Sequence, residues 1–173
     1  MSSPQPIVNK VAQKALITLD LEDYYPKEED LLVIDLKDYL FKGLILKEAD
    51  FRQAVDTTDW ATYKDRYVVL HCSTNAIIPM WAYMVLTAAL SPYAKDIVSA
   101  APQHACEVLL YRNLAALNPA DYAGQRVVIK GCGNRAVPQA AYVQITRQLA
   151  PVARAIMYGE PCSTVPVYKK VVQ

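Results

Sequence analysis

The sequence has almost no net charge and no long apolar run. Each of these absences excludes a class of function. Eighteen basic side chains oppose seventeen acidic ones among 173 residues, so the electrostatic footprint of a nucleic-acid-binding protein is missing. The longest apolar stretch, at 76–90, contains Pro79 and is shorter than a membrane-spanning helix requires. A signal peptide needs an apolar segment after its charged start, and none follows the opening MSSPQPIVNK. We therefore predict a cytoplasmic protein without nucleic-acid or membrane partners.

Common catalytic signatures are also absent from the sequence. It contains only five glycines, and no G-x-G-x-x-G, phosphate-binding P-loop or G-x-S-x-G nucleophile motif is present. Its apolar fraction of 53% is high enough, at this length, for a sizeable core. These features predict a single domain over residues 1–173, whose substrate, small-molecule ligand and enzymatic status the sequence leaves open.

An internal repeat organises the second half of the chain. At an offset of 59 residues, 63–97 aligns with 122–156, and twelve of the 35 aligned pairs are identical. Each copy contains a β-branched run, a polar loop, a helix that begins near a proline (Pro79 or Pro138) and a second short strand. This order predicts two βαβ units with parallel strands, at 61–101 and 120–160, connected by a helix at 102–117.

The remaining segments complete the predicted fold. In the N-terminal segment, 1–60, the runs ALITLDL and LLVIDLKDYL are typical of strands, and LKEADFRQAVD is typical of an amphipathic helix. Residues 161–173 are predicted to form a C-terminal tail. We therefore predict an α/β fold with a mainly parallel sheet, built from a duplicated βαβ unit with an N-terminal β-rich segment.

Three of the four cysteines follow predicted strands. Cys72 and Cys132 come after the first strand of each copy, and Cys162 follows the last predicted strand. The carboxyl ends of parallel strands share one edge of a sheet, and ligands bind there at the switch point between diverging helices. If the first strands of the two copies are neighbours, the three thiols lie together. The fourth cysteine, Cys106, is predicted to belong to the core.

Converging thiols suggest a metal site. Soft thiolates favour zinc, iron–sulfur clusters or copper(I), and of these we predict zinc. A tetrahedral structural site needs a fourth ligand, which His71, His104 or Glu160 would supply; in a catalytic site water takes that position. Our first hypothesis is therefore a zinc-binding protein with Cys72, Cys132 and Cys162 as ligands.

Two alternatives remain open. Cys72 and Cys132 precede helices, whose N-termini favour thiolates, so the same cysteines would suit a thiol redox or sulfur-transfer protein. The second alternative is a non-enzymatic interaction module, a homodimer whose cysteines only fill the core. An acidic stretch at 20–38 and a basic stretch at 112–154 would steer a head-to-tail dimer.

Four segments of the chain are similar to a known family. LITLDLEDYYP, FKGLILKEADFR, VIKGCGN with the following VP and AAY, and MYGEPCSTVPVYK together resemble a bacterial family described as a domain of unknown function, number 2480. The resemblance extends over nearly the whole chain, and GEPCSTVPVYK is its most specific part. It implies a small cytoplasmic protein that forms one unit, and it assigns no catalytic residue.

Overall fold

The computed structural model describes residues 16–131, 133–160 and 162–170. The chain forms two compact units: the central unit comprises residues 25–112, and the terminal unit combines the residues before 25 with those after 112. In chain order the strands and helices are β1 (Leu16–Asp20), β2 (Leu31–Asp35), β3 (Leu40–Phe41), β4 (Ile45–Leu46), α1 (Glu48–Thr57), β5 (Tyr67–His71), α2 (Met80–Leu90), β6 (Asp96–Ser99), α3 (Pro102–Ala115), β7 (Arg126–Lys130), α4 (Gln139–Leu149), β8 (Ala155–Glu160) and β9 (Ser163–Lys169).

The central unit is built on a three-stranded parallel sheet in the order β2-β5-β6. Successive side chains of a strand point to opposite faces. Val68 and Leu70 of β5 accordingly join a core formed with α1 and α2, whereas Val69 packs with Ala105 and Leu109 of α3. Both faces of the strand are therefore buried, which explains why β5 is a continuous apolar run. A two-stranded antiparallel hairpin, β3-β4, completes this unit.

The terminal unit repeats this plan and adds one strand. Its sheet has the order β1-β7-β8-β9, in which β1, β7 and β8 are parallel and β9 is antiparallel to β8. Helix α4 buries Ala141, Ile145 and Leu149 at four-residue spacing. Their equivalents at the 59-residue offset are buried in α2 (Ala82, Leu86 and Leu90). The predicted α/β fold with a mainly parallel sheet and a duplicated βαβ unit is thus confirmed, as is the connecting helix, observed as α3.

The structure adds two details that bear on the predicted site. The convergence of the thiols was conditional on β5 and β7, the first strands of the two copies, being neighbours, and this condition is not met because they lie in different sheets. The reason is that each pairs with a strand from the N-terminal segment, β2 with β5 and β1 with β7. The second detail concerns the C-terminal tail, because residues 163–169 of it form β9.

A second, shorter repeat accounts for these pairings. LDLEDY at 19–24 and IDLKDY at 34–39 are related by an offset of 15 residues. Each segment contains the end of an edge strand followed by a 3-10 turn, in which Leu21 or Leu36 is fully buried. Each unit therefore has the same parts in the same order: an edge strand, a 3-10 turn, a central strand, a helix and a further parallel strand.

Candidate functional site

In the central unit, an aspartate fixes the loop that follows the central strand. Asp35 ends β2, and its Oδ1 accepts hydrogen bonds from the backbone N–H groups of Lys37 and Ser73, both at 3.0 Å. The Lys37 ammonium lies 3.3 Å from the other carboxylate oxygen. Partial desolvation raises the pKa of Asp35, but the hydrogen bonds from Ser73 and Lys37 outweigh it and hold the pKa well below its ordinary value. The ionised carboxylate therefore ties the loop to the neighbouring strand.

Cys72 begins this loop, directly after the last residue of β5. The side chain is half-buried and its thiol is free. Its Sγ lies 3.4 Å from the Thr74 hydroxyl oxygen and 3.6 Å from the Thr74 carbonyl oxygen. The same hydroxyl accepts a hydrogen bond from the Ala76 N–H at 3.4 Å. The thiol therefore lies inside a turn whose polar groups are directed towards sulfur.

A concave pocket of about 490 Å³ opens over this thiol. Besides Cys72 and Thr74 its lining includes His71, Ile77, Met80 and Tyr83. Burial raises the pKa of Tyr83 above its ordinary value, and the nearby Cys72 raises it further. The Tyr83 phenol is consequently protonated at neutral pH and can donate a hydrogen bond within the pocket. The pocket lies at the carboxyl ends of parallel strands, where α/β proteins bind ligands.

In the terminal unit, charged side chains end three neighbouring strands. The Lys130 ammonium at the end of β7 lies 3.0 Å from an Asp20 carboxylate oxygen, at the end of β1, and 3.7 Å from one of Glu160, at the end of β8. The hydrogen bond to Asp20 and the charges of both carboxylates raise the pKa of Lys130. The ends of β7 and β8 are therefore held side by side.

The loop after β7 is fixed by a different carboxylate. Asp20 Oδ1 accepts a hydrogen bond from the Glu22 N–H at 3.1 Å, and Glu22 Oε1 accepts one from the Arg135 N–H at 3.0 Å. A Cβ added to Gly133 would collide with the Glu22 carboxylate. Glycine at this position is what allows the loop and the carboxylate to approach so closely.

The predicted metal ligands fall in both units. Cys72, His71 and His104 belong to the central unit, where His104 is exposed in the first turn of α3. Glu160 and the exposed Cys162 belong to the terminal unit, at the end of β8 and in the turn before β9. Cys132 lies outside the described residues. Within the described ranges, no three His, Cys, Asp or Glu side chains form a group that would hold a metal ion. The three-cysteine site stays a prediction.

One equivalence expected from the sequence is wrong, and two carboxylate clamps were not predicted: Asp35 on the loop after β5 and Glu22 on the loop after β7. At the offset that superimposes β5 on β7, Cys72 corresponds to Gly131, and Cys132 corresponds to Ser73. A side chain at Gly131 would collide with the Tyr142 hydroxyl, so a thiol does not fit both positions equally. Cys106, predicted as core, is only half-buried. The 15-residue repeat marks Asp20 and Asp35 as equivalent, but it does not indicate which loop a carboxylate contacts.

The fold and the site define an α/β protein made of two related units, each built on a sheet of mainly parallel strands. Its cysteines lie in or beside the loops at the carboxyl ends of those strands. The chain belongs to the family described as "Protein of unknown function (DUF2480)", whose model matches residues 5–170. No curated protein and no solved structure matches it. None of the helices in the described ranges is long and apolar enough to cross a membrane.

Proposed function

We propose that Cys72 is the reactive group of this protein and that its thiolate attacks divalent sulfur, in thiol exchange or sulfur transfer. The observation that carries this proposal is the setting of the thiol: half-buried, in a concave pocket, at the carboxyl end of a central parallel strand. The loop that bears it is tied down by Asp35. A reactive group held in a fixed loop above a rigid sheet is a common arrangement of binding and catalytic residues.

The surrounding groups suit each step of such a reaction. With a persulfide donor R–S–SH, the Cys72 thiolate attacks the outer sulfur, a Cys72 S–S bond forms, the donor S–S bond breaks and R–S⁻ leaves. With a disulfide R–S–S–R′ the same attack yields a mixed disulfide and a thiolate. The Thr74 hydroxyl, 3.4 Å from Sγ, stabilises the attacking thiolate by donating a hydrogen bond. The Tyr83 phenol lines the same pocket and, being protonated, can donate a hydrogen bond to an anion bound there.

Treatment with inorganic polysulfide, followed by peptide mass spectrometry, tests this proposal. We expect Cys72 to gain one sulfur atom that dithiothreitol then removes as sulfide. Thr74→Val should slow the modification about fivefold, because one hydrogen bond to the thiolate contributes roughly 1 kcal/mol. Cys72→Ser should abolish this uptake and release of sulfur, whereas the matched variant Cys106→Ser should retain both. Modification of Cys106 or Cys162 at the same rate as Cys72, in folded protein, would contradict the proposal.

We further infer a cytoplasmic location for this chemistry, because the attacking group has to be a free thiol. Reducing compartments keep cysteines in this form, whereas secreted proteins accumulate disulfides. Cys72, Cys106 and Cys162 all carry free thiols.

A specific observation favours a second proposal, a zinc site in the terminal unit. Strands β7 and β8 are paired in parallel register, so their carboxyl ends lie side by side. Cys132 follows Lys130, and Cys162 follows Glu160, by two residues each. We propose Cys132, Cys162 and Glu160 as ligands, since thiolates and a carboxylate are groups that zinc accepts. This set is narrower than the one predicted from the sequence, because it uses ligands of one unit only.

Metal analysis of tag-free protein by inductively coupled plasma mass spectrometry tests the zinc proposal. We expect close to one zinc ion per chain, and its loss in Cys132→Ser and in Cys162→Ser but not in Cys106→Ser. Removal of zinc by a chelator should lower the melting temperature, because binding stabilises the folded state by mass action. Protein that is free of metal as purified and binds no added zinc would rule this site out.

A further inference from the structure

The central unit exposes an unusual amount of apolar surface. Apart from Val33, six large apolar side chains of this unit expose between 44% and 92% of their area. We call this set the apolar ridge, and its members are Phe41, Leu44, Ile45, Ile77, Met80 and Met84. Single exposed apolar side chains are common on protein surfaces, but a continuous group of them marks an interaction site.

Structural links between its members make the ridge continuous. Phe41 and Ile45 are partners in the β3-β4 hairpin. The hairpin turn contains Lys42 and Gly43, both at positive φ (52° and 72°), and this tight turn presents Leu44 at its end. A groove of about 580 Å³ is lined by Leu44, Ile45 and Ile77.

The helical part of the ridge continues from this groove. Ile77 and Met80 line one pocket, the one over Cys72. Met84 follows Met80 by four residues on α2, so the two side chains lie on the same helix face. The ridge thus extends from the hairpin, across the loop, to the outer face of α2.

Its area matches what a protein interface requires. The six side chains together expose on the order of 700 Å². The largest patch on a typical monomer is about 300–600 Å², whereas each partner in a standard interface buries about 800 Å². The ridge is therefore large enough to form the centre of an interface with another protein surface.

The charges beside the ridge indicate which partner it takes. The Lys47 ammonium nitrogen lies 3.4 Å from the centre of the Phe41 ring, and Lys42 lies in the hairpin turn. Asp38 lies just before β3, and Glu48 forms an ion pair at 2.9 Å with Arg52 on α1. Both signs are present in similar number. A two-fold contact sets one surface against an identical copy, and a border with both signs can place opposite charges across it, whereas an anionic membrane or an acidic protein would select a uniformly basic border.

We propose that the apolar ridge binds the ridge of a second copy of this chain, in a two-fold symmetric homodimer. This inference is independent of the sulfur chemistry proposed above, although the two meet at Ile77 and Met80, which also line the Cys72 pocket. In the dimer the second copy lies at the mouth of that pocket. Cys72 should therefore react with a bulky maleimide more slowly in the dimer than in the monomer.

Sedimentation equilibrium of the full chain, up to about 50 μM, tests the dimer. Interfaces of this size have micromolar or lower Kd values, so the wild-type protein should be dimeric. Ile77→Asp and Leu44→Asp should each weaken association at least 100-fold, because a carboxylate would be buried without a partner. The milder Leu44→Ser should weaken it about tenfold. The matched control is Val143→Asp, at the position of α4 equivalent to Met84 and also 70% exposed, which should leave the dimer intact.

Each alternative result overturns the proposal. A wild-type protein that is monomeric at 50 μM excludes the dimer, and dissociation by Val143→Asp but not by Ile77→Asp moves the interface to the terminal unit. If the protein is monomeric and its ridge binds vesicles of phosphatidylcholine with phosphatidylglycerol, the ridge binds a membrane and not a second copy. Circular dichroism and the melting temperature identify a variant that fails to fold. If an aspartate variant does not fold, the association measured for Leu44→Ser takes its place as the test of the dimer.

Discussion

Phe51→Ala should lower the free energy of unfolding by about 4 kcal/mol, the cost typical of removing a fully buried phenyl group. Phe51 is 1% exposed and, together with Val55, packs α1 against the rest of the central core. Its ring packs edge-on against Tyr39 at 5.2 Å and against Trp81 at 5.5 Å between centroids. Alanine would leave a cavity between three elements that cannot all close on it. Urea denaturation followed by circular dichroism measures the loss.

The other phenylalanine of the chain provides the control. Phe41 is 44% exposed on the short β3 strand, so Phe41→Ala removes the same atoms from a surface position outside the core. We expect a loss below about 1 kcal/mol, measured at a protein concentration low enough to keep the chain monomeric. Equal losses for the two variants would show that α1 does not depend on Phe51 for its packing.

Gly159→Ala should be the next most damaging substitution, at about 3 kcal/mol, because backbone strain and a steric collision act together. Gly159 has a φ of 116°, which side-chain-bearing residues rarely adopt. An added Cβ would also lie 2.5 Å from the backbone oxygen of Ser163 on β9. The β8-β9 pairing would have to separate near its turn. Urea denaturation, with hydrogen exchange of the β9 amides, would report both the loss and its location.

Gly124→Ala distinguishes strain from collision. Gly124 also has positive φ, 68°, but no atom lies within 4 Å of an added Cβ. The only cost at this position is that of a left-handed backbone conformation, so we expect the free energy of unfolding to fall by about 1 kcal/mol. If Gly159→Ala cost no more than Gly124→Ala, the close approach of β8 and β9 at Ser163 would be disproved.

The duplicated units could be predicted from the sequence because the repeat preserves what folding depends on. Identical pairs such as Pro79 and Pro138 lie at the start of a helix, and Leu90 and Leu149 are fully buried. Local periodicity and a constant offset identify such positions without knowledge of tertiary contacts. The helices and the parallel strands were therefore placed correctly.

The order of the strands could not be predicted in the same way. Asp20 is paired in register with Lys130, and Asp35 with His71, and these partners lie far apart in the chain. Non-local pairing leaves no periodic signal in either segment, and both N-terminal strands would fit either central strand by pattern alone. Strand β9 was missed because Pro166 interrupts it, and the edge position that tolerates a proline is known only once the sheet is seen.

The candidate site was predicted in part, for the same reason. Cys72 was expected at the carboxyl end of a strand, and it lies there. Its assembly with other cysteines depended on β5 and β7 being neighbours, which they are not. The clamp from Asp35 to Ser73 depends on a strand pairing that no local motif encodes. Chemistry that belongs to one loop can be predicted from sequence, whereas chemistry shared between strands needs their order.

The interleaved pairing of the N-terminal strands also has a consequence for synthesis on the ribosome. All strands of the central sheet come from one continuous stretch, residues 25–112, so that sheet can assemble while translation continues. Strand β1 emerges before the central sheet but finds its partner only when Arg126–Lys130 has left the exit tunnel. It therefore pairs later than the strands of the central sheet, and until then its exposed backbone is open to binding by chaperones.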